Sequence, residues 1–158
     1  MDVYILRHGI AEERGAGRDA DRALTDKGRE KLNRVLQRAA RAGVAATLIL
    51  SSPYKRAWQT AEVAVDLLKY KGKVTQTDAL LPEAKPEDLW REIRSRKNEG
   101  SILIAGHEPM LSATIAFLLG ARDLRVDLKK GSLVHIQIDG FGVLPKGVLK
   151  WMLTPRLA

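Results

Sequence analysis

Met1-Asp2-Val3-Tyr4-Ile5-Leu6-Arg7-His8-Gly9 opens the chain and decides how the rest is read. Val3, Ile5 and Leu6 supply β-forming apolar bulk, and a short apolar run of this kind reads as a buried strand. The run stops in a guanidinium, an imidazole and a glycine free of φ restriction. In an open α/β sheet, ligands bind beyond the carboxyl ends of the strands, so Arg7-His8-Gly9 stands where chemistry is done. Taken alone, a histidine at a strand end is more often a satisfied turn residue than a nucleophile. Other strand ends have to decide.

Two further runs end in a comparable way. Thr47-Leu48-Ile49-Leu50 leads into Ser51-Ser52-Pro53-Tyr54-Lys55-Arg56, and Ser101-Ile102-Leu103-Ile104-Ala105 leads into Gly106-His107-Glu108-Pro109. Continuous apolar runs mark strands buried on both faces, as in parallel sheet. Helical patterns lie between them. Thr25 is placed as an N-cap, Leu32, Val35, Leu36, Ala39 and Ala40 recur at helical spacing, and Gly43 closes the helix. Ser52 as N-cap and Pro53 at the first helical position predict a second helix, with Ala57, Ala61, Ala64, Val65 and Leu68 on one face. Pro86 opens a third and Pro109 a fourth. Residues 10–24 lack periodicity and read as a surface loop, and Lys73 to Thr77 reads as an edge strand. Toward the C-terminus, Ser132 to Ile138 alternates and Val148 to Leu153 follows across a Gly-containing link, which predicts an antiparallel pair. The expected fold is one α/β domain over residues 1–158: three layers, α/β/α, around a mostly parallel central sheet with a C-terminal antiparallel strand pair.

Composition narrows the chemistry. With no cysteine among its 158 residues the chain offers neither disulfides nor thiolate chemistry. No stretch approaches eighteen uninterrupted apolar residues and no cationic-then-apolar leader precedes the first strand, so a cytoplasmic protein off the membrane is expected. The net charge of +8 favours anionic ligands. Its densest concentration, Lys27, Arg29, Lys31, Arg34, Arg38 and Arg41, is offset by Asp26 and Glu30 and reads as a solvated helix face. Aromatic residues make up only 5%, too few for a base-stacking platform, so no nucleic-acid partner is expected.

The strand ends then converge. Arg7, His8, Arg56 and His107 would meet at one sheet edge beside helix N-termini, a pocket suited to a compact dianion such as phosphate. A neutral imidazole there can take a phosphoryl group and release it to water, while the arginines spread the charge of the transferring group. His135 lies in a strand and reads as structural.

Leu6-Arg7-His8-Gly9, Leu24-Thr25-x-x-Gly28, Ser51-Ser52-Pro53-x-x-Arg56-Ala57-x-Gln59-Thr60-Ala61 and Gly106-His107-Glu108-Pro109 together resemble the histidine phosphatase superfamily. The likeness extends through Lys130-Gly131-Ser132 to Trp151-x-Leu153-x-Pro155, and the short chain looks like the SixA-type phosphohistidine phosphatases. The resemblance implies a phosphoglycerate mutase-like fold, His8 as a transiently phosphorylated nucleophile, and Arg7, Arg56 and His107 as phosphate-binding and transition-state groups. It implies no metal and no cofactor. Mutase-like members usually place Glu after Arg-His-Gly and carry long insertions over the site; here Ile10-Ala11 follow and little chain is left for a lid. Members that hydrolyse phosphoesters also supply a carboxylate as general acid. Glu83 falls in about the right segment, and Arg22 and Glu108 are further neighbours, Arg22 as a phosphate contact. The substrate expected is protein phosphohistidine, such as a histidine-phosphotransfer domain, handled by a monomer. The alternatives are a small-molecule phosphomonoesterase with the same His8 chemistry and a non-catalytic module binding phosphate or an acidic partner.

Overall fold

The computed structural model describes residues 1–158. Six strands form one sheet in the order β3-β2-β4-β1-β5-β6. They are β1 Asp2–Arg7, β2 Leu48–Ser51, β3 Thr75–Gln76, β4 Ser101–Gly106, β5 Leu133–Phe141 and β6 Pro145–Leu153. The first four run parallel, while β5 lies antiparallel to β1 and β6 antiparallel to β5. The helices are α1 Asp26–Arg41, α2 Lys55–Leu67, α3 Pro86–Ser95 and α4 Met110–Leu118.

The apolar runs behave as fully buried strands should. Ile102, Leu103 and Ile104 at the centre of the sheet are inaccessible to solvent, and alternate residues feed two cores. One face packs Leu103 with Leu32, Leu36 and Ala64 under α1 and α2; the other packs Ile102 and Ile104 with Leu89, Ile93 and Leu111 under α3 and α4. Truncating one of the central side chains to Ala costs about 2–5 kcal/mol by lost transfer energy and the cavity left behind.

Thr25 caps α1, its hydroxyl accepting from Gly28 N–H at 3.0 Å and donating to Ile10 O at 3.2 Å. Gly28 is required there, because a Cβ would lie 2.2 Å from Ile10 O. Lys27, Arg34, Arg38 and Arg41 stand on the solvent side of the helix.

Three local expectations need correction. Helix α2 starts at Lys55 with Tyr54 as its N-cap, not at Ser52-Pro53. Tyr54 stays extended (φ −66°, ψ 136°), and the Ser52 hydroxyl accepts the Tyr54 N–H while also pairing with His107. Residues 10–24 are more ordered than a plain loop: Ala11 bridges Leu24, and a 3-10 turn forms over Asp19–Asp21. The C-terminal hairpin is longer than its alternation suggested, because β5 and β6 continue past bulges to a tip at residues 142–144.

Candidate active site

Parallel pairing brings three strand ends level. Arg7 lies opposite Gly106 and Ser51 opposite Ala105, so the turns that follow β1, β2 and β4 open at one edge of the sheet. His8, Arg56 and His107 meet there although up to 99 positions separate them, with only 6%, 5% and 1% of their surfaces exposed. The two imidazole rings are 5.1 Å apart between centroids.

Backbone and second-row side chains fix the His8 ring. Its Nδ1 lies 2.7 Å from Gly9 O, an atom that can only accept, so Nδ1 carries the hydrogen and Nε2 keeps its lone pair. Arg56 Nε points at that nitrogen from 3.4 Å. Gly9 N–H is held in turn by Thr60 Oγ1, which donates to Arg56 O at 2.7 Å and so couples the β1 turn to α2. His107 Nε2 sits 2.8 Å from Ser52 Oγ. Since Ser52 accepts the Tyr54 N–H, its own hydroxyl hydrogen is free for His107 Nε2, an arrangement that leaves Nδ1 as a donor.

Every buried side-chain polar atom of the protein that lacks a partner lies in this neighbourhood: Arg7 Nε, His107 Nδ1 and Ser132 Oγ. Gly131 N–H donates to the carbonyls of Arg7 and His8, which places Ser132 against the β1 turn. Native proteins rarely leave such atoms orphaned, and a cluster of them marks a place prepared for a polar guest.

The electrostatics agree. Burial, and then the charges of Arg56, Arg7 and Lys130, push His8 down to about 3, against a raising contribution from its bond to Gly9 O. Burial likewise pushes His107 to about 3, helped by His8, Arg56 and Arg7 and opposed by Asp19. Both rings are therefore neutral at pH 7 and surrounded by fixed positive charge. Such surroundings favour an anion.

The description of the histidine phosphatase superfamily (branch 1) matches residues 3–84, more than half of the sequence. The chain belongs to the histidine phosphatase superfamily. An uncharacterized protein of Picosynechococcus is 33% identical over 142 residues, covering 87% of this chain and 85% of that one. Phosphohistidine phosphatase SixA of Escherichia coli K12 is 26% identical over 157 residues, covering 98% and 94%. The solved structure of the protein histidine phosphatase SixA complexed with tungstate superimposes with a TM-score of 0.88 at 24% identity, covering 99% of this chain and 98% of that one. The fold of this superfamily member is thus the phosphoglycerate mutase-like one that its motifs imply.

The remaining expected site residues are engaged differently, Glu108 through its charge beside Arg7. Glu83 is exposed in the loop before α3 and makes no side-chain hydrogen bond or ion pair, so nothing ties it to the His8 cluster. Glu108 caps α4, its Oε1 accepting from Ser112 N–H at 2.8 Å. Arg22 stands one step back: its Nη1 binds Asp19 Oδ1 at 2.8 Å and its Nε binds Glu12 O. Asp19 is what meets Arg56, through its backbone carbonyl to Nη1 at 2.9 Å and its Oδ2 to Nη2 at 3.1 Å. Sequence reading missed Asp19 because residues 10–24 carry no period. The available signal was Asp19 and Arg22 at i,i+3 just ahead of Leu24-Thr25. The hydrogen bond from Arg22 and the charge of Arg56 hold the Asp19 carboxyl below its usual range, so it remains an anion.

Proposed function

We propose that this chain hydrolyses phosphohistidine on proteins, with His8 Nε2 as the nucleophile. The observation that carries the reading is the His8 Nδ1–H bond to Gly9 O, which leaves Nε2 unprotonated beside Arg56 Nε. In the first step Nε2 bonds to the substrate's phosphorus and the substrate's P–N bond breaks. The departing imidazole, protonated on its other nitrogen, leaves neutral. In the second step water attacks the phosphorus of phospho-His8, the new P–N bond breaks, and inorganic phosphate departs. Arg7, Arg56 and His107 take the phosphoryl oxygens, each with a donor lacking or weakly holding a protein partner. Fixed donors of this kind stabilise the transferring group without reorganisation.

The carboxylates of the site favour a phosphoramidate over an alkyl phosphoester. An alkoxide leaving group needs an acid, yet Asp19 is held ionised by two arginines and Glu83 is exposed and unpaired. A histidine-phosphotransfer domain loaded with phosphoramidate, compared with a sugar phosphate and an aryl phosphate, tests the reading. Turnover of the phosphoprotein by the wild type and none by His8→Ala is expected. Efficient turnover of the sugar phosphate with the phosphoprotein untouched would contradict the substrate class. Retained phosphate binding without turnover of any of the three would instead describe a non-catalytic module.

A further inference from the structure

A separate cavity lies away from His8. It is an open groove of about 1010 Å³ between α3 and α4, on the face of the sheet opposite α1 and α2. Trp90, Ala116 and Phe117 line it, and Leu124, Val143 and Leu144 close its lower end. Val143 and Leu144, at the β5–β6 tip, are 79% and 68% exposed, yet they are not on a loose loop. Trp90 Nε1 donates to the carbonyls of Gly142 and Val143 at 3.2 and 3.0 Å, and its ring stacks on Phe141 at 6.0 Å. The apolar tip is held outward by construction.

The groove also has a sign. Arg91, Arg94, Arg122 and Arg125 line it against a single carboxylate, Glu87. Arg91 is engaged with Asp88, whereas Arg94, Arg122 and Arg125 have no ion-pair partner. Free guanidiniums around an apolar floor complement an amphipathic helix whose polar side is acidic. Helix α3 has ten residues, about 15 Å at 1.5 Å per residue, which matches two to three turns of a guest presenting apolar residues at i, i+4 and i+7.

Its position links it to the site. Pro86, Pro109 and Ser112 form the upper end, where α3 and α4 begin, and Pro109 follows His107 by two residues. We propose that this groove docks an acidic amphipathic helix of the protein substrate, seating the partner beside the mouth of the His8 pocket. The inference rests on the phosphohistidine-protein reading and adds to it where the partner is held and by what chemistry.

Two variants remote from His8 test it, Arg122→Glu/Arg125→Glu and Val143→Asp/Leu144→Asp. The probes are an acidic histidine-phosphotransfer domain phosphorylated with phosphoramidate, and free phosphohistidine, whose turnover measures intact enzyme. Each variant is expected to raise KM for the phosphoprotein about tenfold with kcat unchanged and free phosphohistidine unaffected. Added salt should raise the wild-type KM for the phosphoprotein more steeply than that of the arginine variant. Phosphoprotein kinetics unchanged in both variants would overturn the docking site while leaving the His8 chemistry standing. A wild type that hydrolyses free phosphohistidine but not the phosphoprotein would instead remove the protein-substrate reading, and the groove's occupant with it.

Discussion

Strand β1 has a histidine beside each end, and the two live in opposite circumstances. Near its start, His135 on β5 lies opposite Tyr4, puts Nε2 2.7 Å from Asp2 Oδ1, and packs between the rings of Tyr4 and Trp151 at 4.7 and 5.3 Å. No fully buried side-chain polar atom in that cluster lacks a partner. At the other end, His8 faces a second imidazole and two guanidiniums among orphaned donors. Polar groups that satisfy one another hold strands together, whereas polar groups left unsatisfied at the cost of stability are arranged for a ligand. Residue type alone does not separate the two histidines; their unfilled hydrogen bonds do.

Breaking each end should therefore have different consequences. His8→Ala is expected to lower turnover by about 10⁴-fold or more without unfolding the chain, because it removes the proposed nucleophile. Steady-state kinetics with circular dichroism as a control would check it. Arg56→Ala, which removes the donors proposed to hold the transferring group, should cost about 10²–10³-fold in kcat. Asp19→Asn is expected to lower kcat about tenfold by loosening Arg56, yet to tighten competitive inhibition by inorganic phosphate, since a negative charge facing the anion is gone. Weaker inhibition by phosphate would show that Asp19 contributes to binding in another way.

Acid should expose the same contrast through stability. In the unfolded chain His8 and His107 titrate near 6.5, whereas folded they titrate near 3. Between those values the unfolded state binds more protons, so stability falls as pH is lowered through that window, by up to about 1.4 kcal/mol per pH unit for each imidazole. Above 6.5 the two rings contribute no slope. Denaturant titrations at pH 7.5 and 5 should show this loss, and a His8→Asn/His107→Asn variant should show less of it. The smallest effect is expected at the satisfied end: His135→Phe should cost about 1–2 kcal/mol of stability by stranding the Asp2 contact, with kcat unchanged.

Much of this arrangement is legible in the sequence because buried parallel strands write themselves as unbroken apolar runs. Leu48–Ser51 and Ser101–Gly106 could be placed for that reason, and placing them carries Arg56 and His107 to the edge where Arg7 and His8 end. Helix α1 was equally readable, from Thr25 through the spacing of Leu32, Leu36 and Ala39. What escaped depends on contacts between segments. The start of α2 moved to Lys55 because the Ser52 hydroxyl serves His107, a residue 55 positions away. Arg22 lies behind Asp19 because a 3-10 turn folds inside a stretch without period. The α3–α4 groove was invisible for the same reason: it takes shape only where Trp90 anchors the hairpin tip.

The covalent intermediate is the most direct test of the central claim. Rapid quenching of the enzyme during turnover of a phosphohistidine protein, followed by mass spectrometry and phosphorus NMR, locates the phosphate by residue and by nitrogen. Acid-labile phosphate on Nε2 of His8 is the expected result, because Nδ1 is committed to Gly9 O. Phosphate on His107, phosphate on Nδ1 of His8, or steady turnover with no covalent phosphate would contradict it.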